Sequence, residues 1–481
     1  MSDQPNVIVL VADTFRPDHL GINGHPYCRT PELDAFVRRG ATFDQAMVSS
    51  FPTIPMRTDW FTGRFGHPRH GWKPLDPQAF TLPKALALGG YTTQLLASTT
   101  HLLRNDFWKP FHHFDFSRGL EGDAPFARGN EPVRKLHANR RKTRMEFGRT
   151  DDKPALCDIA AHVGHRVRYE DEHHSSELAT RACRFIEDNW KAGPFFLWVD
   201  SFDPHEPWFP PEHLWRAYDP DYSGEPMCHP NYSKASHYEA HELKNMQARY
   251  AATCTLVSKQ FGRILRTVED AGLFENTIVV FMSDHGMSLG ERGVTGKTII
   301  QPDELDHLAF HPEIGRLCWT MHVPERLGCK AAHPGARFAQ PIQAPDLLPT
   351  VLDLCGLKPP SSVDLEGCSL VPLLKGQTDA PPRAISVTAG TGRISSADGT
   401  TFCRRPTVTD GRWTLHLSEP PKPAPAKLYD TAADPLQARD VLREHRSEAV
   451  RLHRGMLEFL RGKVAEPATL ERLSAANIGL E

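Results

Sequence analysis

The sequence predicts a doubly wound α/β fold, in which helices cover both faces of a mostly parallel sheet. Residues 6–12, 194–199 and 277–282 form continuous apolar runs, the pattern of strands that are buried on both faces. Residues 175–190 and 250–269 precede the second and third runs and have the pattern of helices. Strands that alternate with helices in this way are typical of parallel sheets with crossover helices.

The polar residues that follow these strands predict where a functional site lies. Asp13 follows the first run, residues 200–205 follow the second, and Asp284 and His285 follow the third. In doubly wound sheets, ligands bind beyond the carboxyl ends of the strands. We therefore expect these groups to meet at one edge of the sheet.

The chain is long enough for one large domain and a smaller companion. We predict a catalytic domain over residues 1–376 and a small C-terminal α+β subdomain over residues 377–481. The second part passes through a Pro-rich segment into short alternating stretches and a final amphipathic helix at about 443–461. Residues of about 121–175 are polar and weakly periodic, so we predict an insertion that shapes the pocket.

Composition excludes several classes of function. The 481 residues are 40% hydrophobic and 24% charged, as in ordinary globular proteins, and the formal net charge of -3 does not predict nucleic-acid binding. The apolar run near the start is too short for a signal sequence, and no run approaches the ~18 residues that span a bilayer. The ten cysteines include no C-x-x-C pair. We expect a cytoplasmic protein with no nucleic-acid or membrane partner.

Asp13, Asp284 and His285 are the candidate metal ligands. Two carboxylates and one imidazole at strand ends suit a divalent ion of the zinc or manganese type. Each residue also fits a structural role. Asp often forms the turn that ends a strand, and His is often hydrogen-bonded to such a turn.

Thr53 is the candidate nucleophile. It is placed to cap a helix whose first turn contains Pro55, and the free backbone N–H groups of such a helix start attract anions. A threonine hydroxyl is a poor nucleophile unless a metal or a base activates it. The alternative is a plain helix cap, with Arg57 in a surface ion pair.

Two histidines are candidate proton donors. Pro204 and Pro207 flank His205 and hold its backbone in a rigid, non-helical form, which suits a donor to a leaving oxygen. His101 follows a further strand-like run at 91–97. Both also fit the role of structural histidines.

Taken together and in this order, these segments resemble the sulfatase family of the alkaline phosphatase superfamily. The resemblance runs from residue 6 to about 376 and resumes at KLYDTAADP, residues 427–435, which is similar to the family's C-terminal LYD-x-x-x-DP element. Segments without catalytic roles match as well, namely TPELD at 30–34, DLLPTVL at 346–352 and GCSL at 367–370. The resemblance implies an alkaline phosphatase-like sheet with the site at its strand ends.

Eight residues match site positions of the family by type and order: Asp13, Thr53, Arg57, His101, His205, Asp284, His285 and Lys297. The resemblance implies that the two aspartates and His285 bind a metal and that Thr53 is the nucleophile, with Arg57 in its motif. We expect Arg57 and Lys297 to stabilise the charge that develops on the ester. It also implies that the lysine and the other two histidines contact the ester oxyanions or protonate the leaving group.

Three positions depart from the family pattern. Thr14 stands in place of the usual second Asp, Thr53 in place of the Cys or Ser that becomes formylglycine, and Thr99 in place of the Lys of a G-K-x-H segment. Formylglycine hydrate expels sulfate by breaking its own C–O bond, a route closed to threonine because it lacks a second geminal hydroxyl. A threonine alkoxide can still attack phosphorus in line.

We therefore predict a metal-dependent hydrolase of phosphate- or sulfate-type esters with Thr53 as nucleophile, and we favour phosphoesters or phosphonate esters. We expect one divalent ion (Mn, Zn or Ca), because no second ligand set is evident near residues 200–205. The alternatives are a sulfate ester hydrolase without formylglycine and a silent anion-binding protein. The expected partner is a small anionic ester, and assembly into a homo-oligomer is left open.

Overall fold

The computed structural model describes residues 4–69, 71–120, 167, 169–301, 304–391, 403–417 and 426–476, apart from the side chains of residues 300–307. It contains an eight-stranded sheet with the strand order Arg337–Phe338, Ala41–Phe43, Trp319–His322, Thr277–Ser283, Asn6–Ala12, Phe195–Ser201, Thr92–Ala97 and His113–Phe116. The last five strands of this order are parallel, and Trp319–His322 is antiparallel to both of its neighbours. The predicted α/β sheet is confirmed, with an antiparallel strand that the sequence did not predict.

Helices cover both faces of this main sheet, as expected for a doubly wound fold. In the central strand Asn6–Ala12, alternate side chains enter two separate hydrophobic cores, and all seven residues are buried. One core includes the helices Thr53–Thr62, Leu82–Leu88 and Leu347–Leu354. The other includes the helices Pro31–Arg39, His174–Asn189 and Ala240–Asp270. Burial on both faces explains why the strand sequence is continuously apolar.

The two helices predicted from periodicity are present with different bounds. The helix predicted at 175–190 spans His174–Asn189. The helix predicted at 250–269 spans Ala240–Asp270 and begins ten residues early, at a capping box formed by Glu239 and Glu242. Its first turns are mostly polar, so their sequence lacked the apolar stripe that marks a helix.

A smaller five-stranded sheet follows in the C-terminal part of the chain. Its order is Lys427–Asp430, Trp413–His416, Arg404–Thr409, Ser386–Gly390 and Ser50–Phe51. The helix predicted at 443–461 spans Arg446–Gly462 and shares a core with this sheet, and a second helix, Pro467–Ser474, was not predicted. The strand Ser50–Phe51 belongs to the N-terminal part and pairs in parallel with Ser386–Gly390. The small sheet therefore fixes the segment that leads directly into Thr53, and the division at residue 376 stays a prediction.

The remaining elements are short. Three two-stranded pairs join Ala46–Met47 to Ile342–Gln343, Ser288–Leu289 to Thr295–Gly296, and Thr298–Gln301 to Glu304–His307. The short helices are Thr100–Arg104, Glu212–Trp215, Pro312–Gly315 and Val371–Leu374.

Three sequence-based expectations concern the chain as a whole. Most of the predicted insertion at about 121–175 lies outside the described residues, and its last two residues belong to the helix His174–Asn189. The cysteines in the described ranges are free thiols. A search of the same ranges finds no helix with the length and hydropathy of a membrane span.

Candidate active site

Four neighbouring strands of the main sheet end at one place. Asp13 and Asp284 directly follow two of these strands. Asp200 is the second-to-last residue of the third strand, and Thr99 lies two residues beyond the end of the fourth. All four side chains are fully buried. The convergence expected from the strand pattern is therefore present.

Arg57 lies at the centre of this group and is fully buried, so it does not form a surface ion pair. Its Nε and Nη2 donate to the two oxygens of Asp200 at 3.0 and 2.8 Å, and Nη2 also donates to Asp13 Oδ2 at 3.1 Å. Its Nη1 donates to Asp284 Oδ2 at 2.5 Å and to the Thr53 carbonyl at 3.2 Å. All five N–H bonds of the guanidinium are thus directed at the protein.

The three candidate metal ligands form one cluster. Asp13, Asp284 and His285 each offer a donor atom, and these atoms lie within 4.8 Å of one another. The Nδ1 of His285 is 3.1 Å from the carbonyl of Gly286, which can only accept, so Nδ1 carries the proton. Its Nε2 is buried and has no hydrogen-bond partner among the described residues. This tautomer, with its second nitrogen held by a carbonyl, is the form in which histidine binds metals.

The electrostatics of the cluster also fit a divalent cation. Burial and the charge of Asp284 raise the pKa of Asp13 well above its ordinary value. Burial alone would raise the pKa of Asp284 too, but the charge of Arg57 and the backbone N–H of Thr14 lower it. Burial lowers the pKa of His285 to about 3, so the ring is neutral. Three buried carboxylates surround one guanidinium, so when all three are ionised a divalent cation would balance the two negative charges in excess.

Thr14 orients both carboxylates of the candidate metal site. Its backbone N–H donates to Asp284 Oδ1 at 2.9 Å, and its hydroxyl donates to Asp13 Oδ1 at 2.8 Å. Its φ of 64° is rare for a β-branched residue. Tyr250 supports this backbone by donating to the Thr14 carbonyl at 2.7 Å. The sequence showed Thr14 only as the absence of a second Asp.

Thr53 is the first residue of the helix Thr53–Thr62, and Pro52 occupies the cap position. The prediction that Thr53 caps the helix was therefore wrong by one residue, although Pro55 does lie in the first turn. The Phe51 ring, two residues earlier, lies 5.0 Å from the His285 ring, which places the helix start beside the ligand cluster. Thr53 is buried, with 3% of the residue exposed.

Lys297 and His205 form a close pair next to the cluster. Lys297 Nζ is 2.5 Å from His205 Nε2 and 3.5 Å from the Thr14 hydroxyl. His205 Nδ1 donates to the Glu206 carbonyl at 2.6 Å, so its Nε2 accepts from the ammonium group. Burial, followed by the charge of Lys297, lowers the pKa of His205 well below its ordinary value.

His101 lies further from this pair. Its ring is 6.3 Å from that of Phe202, whose other neighbour is the His205 ring at 4.1 Å. A second contact, with Trp72 at 4.9 Å, is edge-to-face. The structure thus places His101 at the margin of the group, while the other seven predicted residues lie in or beside the buried cluster.

Sequence reasoning missed the contribution of Asp200 and Thr99. Asp200 binds Arg57 through both oxygens and accepts from the Thr99 hydroxyl at 2.8 Å and from Trp198 Nε1 at 3.1 Å. A signal was available, because Asp200 is a charged residue in an otherwise apolar buried strand. Fully buried carboxylates are rare unless they are paired.

The candidate metal site of two carboxylates and one imidazole lies at the strand ends of a doubly wound sheet, as is typical of hydrolases of the alkaline phosphatase type. The chain belongs to the sulfatase family, whose family model matches residues 5–357. It is therefore a hydrolase of ester bonds.

Relatives within this superfamily act on different esters. An arylsulfatase of Clostridium perfringens is 25% identical over 77% of this chain and 79% of its own length. The multifunctional alkaline phosphatase superfamily protein PehA of Trinickia caryophylli is 25% identical over 77% of both chains. The crystal structure of the phosphonate monoester hydrolase of Agrobacterium radiobacter superposes with a TM-score of 0.70, at 22% identity over 96% of both chains. Family membership therefore does not distinguish sulfate esters from phosphate or phosphonate esters as the substrate.

Proposed function

We propose that this protein hydrolyses phosphate or phosphonate esters with Thr53 as the nucleophile. The observation that carries the proposal is the position of Thr53, a buried residue whose helix starts beside three metal-ligand candidates. Threonine cannot complete the formylglycine cycle that releases sulfate. Its hydroxyl can form and release a phosphoryl ester, because water can attack phosphorus in the second step.

One divalent cation fits the residues Asp13, Asp284 and His285. When bound, it supplies the positive charge that favours the alkoxide form of a nearby hydroxyl and stabilises the ester oxygens. The imidazole ligand favours manganese or zinc over calcium, which prefers an all-oxygen shell.

The protein's own groups divide the remaining work. The Thr53 alkoxide, whose hydroxyl proton has passed to solvent, forms a bond to phosphorus as the bond to the leaving oxygen breaks, and the Lys297–His205 pair provides the proton for that oxygen. Lys297 also stabilises the charge that develops on the ester. Arg57 has no donor left for the substrate, so it holds the three carboxylates in position. Water then releases the phosphoryl group, with His101 or His205 as the base.

A matched pair of variants tests the nucleophile. Thr53→Ser keeps the hydroxyl and should keep most activity, whereas Thr53→Ala should lose several powers of ten in kcat at unchanged metal content. The assays use aryl sulfates, phosphate monoesters, phosphate diesters and phosphonate monoesters, with Mn, Zn or Ca restored to chelator-treated protein. Sulfate turnover that is far above phosphate turnover and insensitive to Thr53→Ala contradicts the proposal. Absence of all turnover in the metal-loaded protein supports a silent anion-binding role.

A further inference from the structure

We infer that Glu206 is a positioning residue for the proton donor, and that Tyr232 holds the Glu206 carboxylate in place. The inference deepens the proposed function, since it concerns how the Lys297–His205 pair serves the leaving group. Glu206 follows His205 in the chain and is 1% exposed.

The Glu206 carboxylate faces both members of the pair. Its Oε1 is 3.7 Å from Lys297 Nζ, and its Oε2 is 3.4 Å from His205 Nδ1. The Tyr232 hydroxyl donates a short hydrogen bond to Oε1, and Oε2 has no hydrogen-bond partner among the described residues. A buried carboxylate with an unused oxygen therefore lies within ion-pair distance of the lysine and the histidine.

The positive charge of Lys297 and the negative charge of Glu206 balance each other beside a neutral His205. His205 is neutral, because Nδ1 donates to a carbonyl and Nε2 accepts from Lys297. The pair then carries the single positive charge of the ammonium group, and the Glu206 carboxylate is the nearby negative charge. Burial of either charge without the other would be costly.

Tyr232 is fixed by the same segment that carries Lys297. Tyr232 has a φ of 50°, and a Cβ atom added to Gly296 would lie 2.9 Å from its Cγ. Gly296 directly precedes Lys297, and the neighbouring Thr295 hydroxyl donates to Asn231 at 2.6 Å. The close approach that only glycine permits at this position packs Tyr232 directly against the residue that precedes Lys297.

The geometry has a consequence for one step of the reaction. As the bond between phosphorus and the leaving oxygen breaks, an N–H bond of Lys297 breaks, its proton passes to that oxygen, and the amine is left neutral. The base that deprotonates the attacking water later passes that proton to Lys297 and restores the ammonium group. This transfer matters most for leaving groups that are poor as anions, because good ones depart without a proton.

The test compares leaving groups rather than total activity. Wild type and Glu206→Gln are assayed with three aryl esters of the same acid, phosphate or phosphonate, whichever the wild type hydrolyses. The aryl groups are 4-nitrophenyl, 4-chlorophenyl and phenyl. We expect kcat/KM to fall less than about tenfold for the 4-nitrophenyl ester and about a hundredfold for the phenyl ester. Tyr232→Phe should act in the same direction with a smaller loss, and Glu206→Asp should restore part of the activity toward the phenyl ester.

Two control variants change matched groups elsewhere. Glu366→Gln alters a buried carboxylate that pairs with Arg69. Tyr91→Phe removes a buried hydroxyl that donates to the Pro5 carbonyl, and both residues lie at the amino ends of strands in the main sheet, opposite the site. Both should keep the wild-type dependence on the leaving group. An equal loss for all three esters in Glu206→Gln would show a merely structural role and overturn the inference.

A second measurement does not need turnover. The imidazole ¹⁵N signals of His205, assigned by their loss in His205→Gln, should shift in Glu206→Gln and stay unchanged in Glu366→Gln. Unchanged His205 signals in Glu206→Gln overturn the inference. If the wild type hydrolyses none of the esters, the proposed function fails, and these signals still decide whether Glu206 governs the pair.

Discussion

Asp200 accepts two parallel hydrogen bonds from Arg57, from Nε at 3.0 Å and from Nη2 at 2.8 Å, and both side chains are fully buried. Pairing through both oxygens fixes the plane of the guanidinium as well as its position. The remaining N–H groups of that plane reach Asp13 and Asp284 on the neighbouring strands. The Arg57–Asp200 pair therefore sets the spacing of the two carboxylates in the candidate metal site.

We expect Asp200→Asn to reduce kcat/KM or metal affinity by about 10- to 100-fold, as is usual for residues that orient metal ligands. Asparagine offers Arg57 one acceptor oxygen and one competing donor, so the guanidinium plane is no longer fixed. Steady-state kinetics with metal titration measures the loss. Thr99→Val removes one hydrogen bond to Asp200 but leaves both of its bonds to Arg57, so it should cost less than Asp200→Asn. Wild-type kinetics and metal affinity in Asp200→Asn would contradict this role.

We expect Asp284→Asn to lose bound metal and activity together. The substituted amide can still accept the backbone N–H groups of Thr14 and His285, so the loop keeps its shape while the ligand charge is removed. Elemental analysis of the purified variant should show a metal content well below that of the wild type. Asp59→Asn is the matched control, because Asp59 is equally buried but bonds to Ser49 and Gly66 instead of the cluster. Retention of both metal and activity in Asp284→Asn would show that the metal site is wrongly assigned.

We expect the peptide that contains residue 53 to carry unmodified threonine, because formylglycine forms from Cys or Ser. Mass spectrometry of the intact protein and of its peptides measures this. Thr53→Cys, co-expressed with a formylglycine-generating enzyme, provides a positive control for detection of the aldehyde. An aldehyde at residue 53 of the wild type would overturn the proposed mechanism.

The sequence was sufficient for the features that local pattern encodes. The strands Asn6–Ala12 and Thr277–Ser283 are uninterrupted apolar runs, and their carboxyl ends locate Asp13 and Asp284 once the sheet is taken as parallel. Family resemblance then supplied the positions of Thr53 and Lys297. Both steps depend on residues that are close in sequence or fixed in order.

The contacts that the sequence did not reveal join distant segments. Tyr232 meets Glu206 across 26 residues, and the two-residue strand Ser50–Phe51 pairs with a strand more than 300 residues later. Neither contact has a periodicity or a spacing that marks it. Asp200 was visible as a charge in a buried strand, but its partner, Arg57, depends on how the helix Thr53–Thr62 lies across the sheet.

Asp59 provides the pH-dependent prediction. Its carboxyl is fully buried on the helix Thr53–Thr62, where it accepts from the Ser49 hydroxyl at 2.5 Å and the Gly66 N–H at 2.8 Å. Burial raises the pKa of Asp59 to about 7, despite these hydrogen bonds. An unfolded aspartate has a pKa of about 3.9, so between these values the folded state binds more protons than the unfolded state.

This difference fixes the sign of the effect. The contribution of Asp59 to the free energy of unfolding is fully present below pH ~4 and is lost as the pH rises through about 7. Asparagine stays neutral, and its amide can accept from Gly66 and donate to Ser49, so Asp59→Asn should lack this loss. Relative to the variant, the wild type should lose about 1.4 kcal/mol per pH unit over this range, as measured by urea unfolding at several pH values. Curves that stay parallel for the two proteins between pH ~4 and ~7 would mean that Asp59 is ionised in the folded state, with a counter-charge that the Ser49 and Gly66 contacts do not provide.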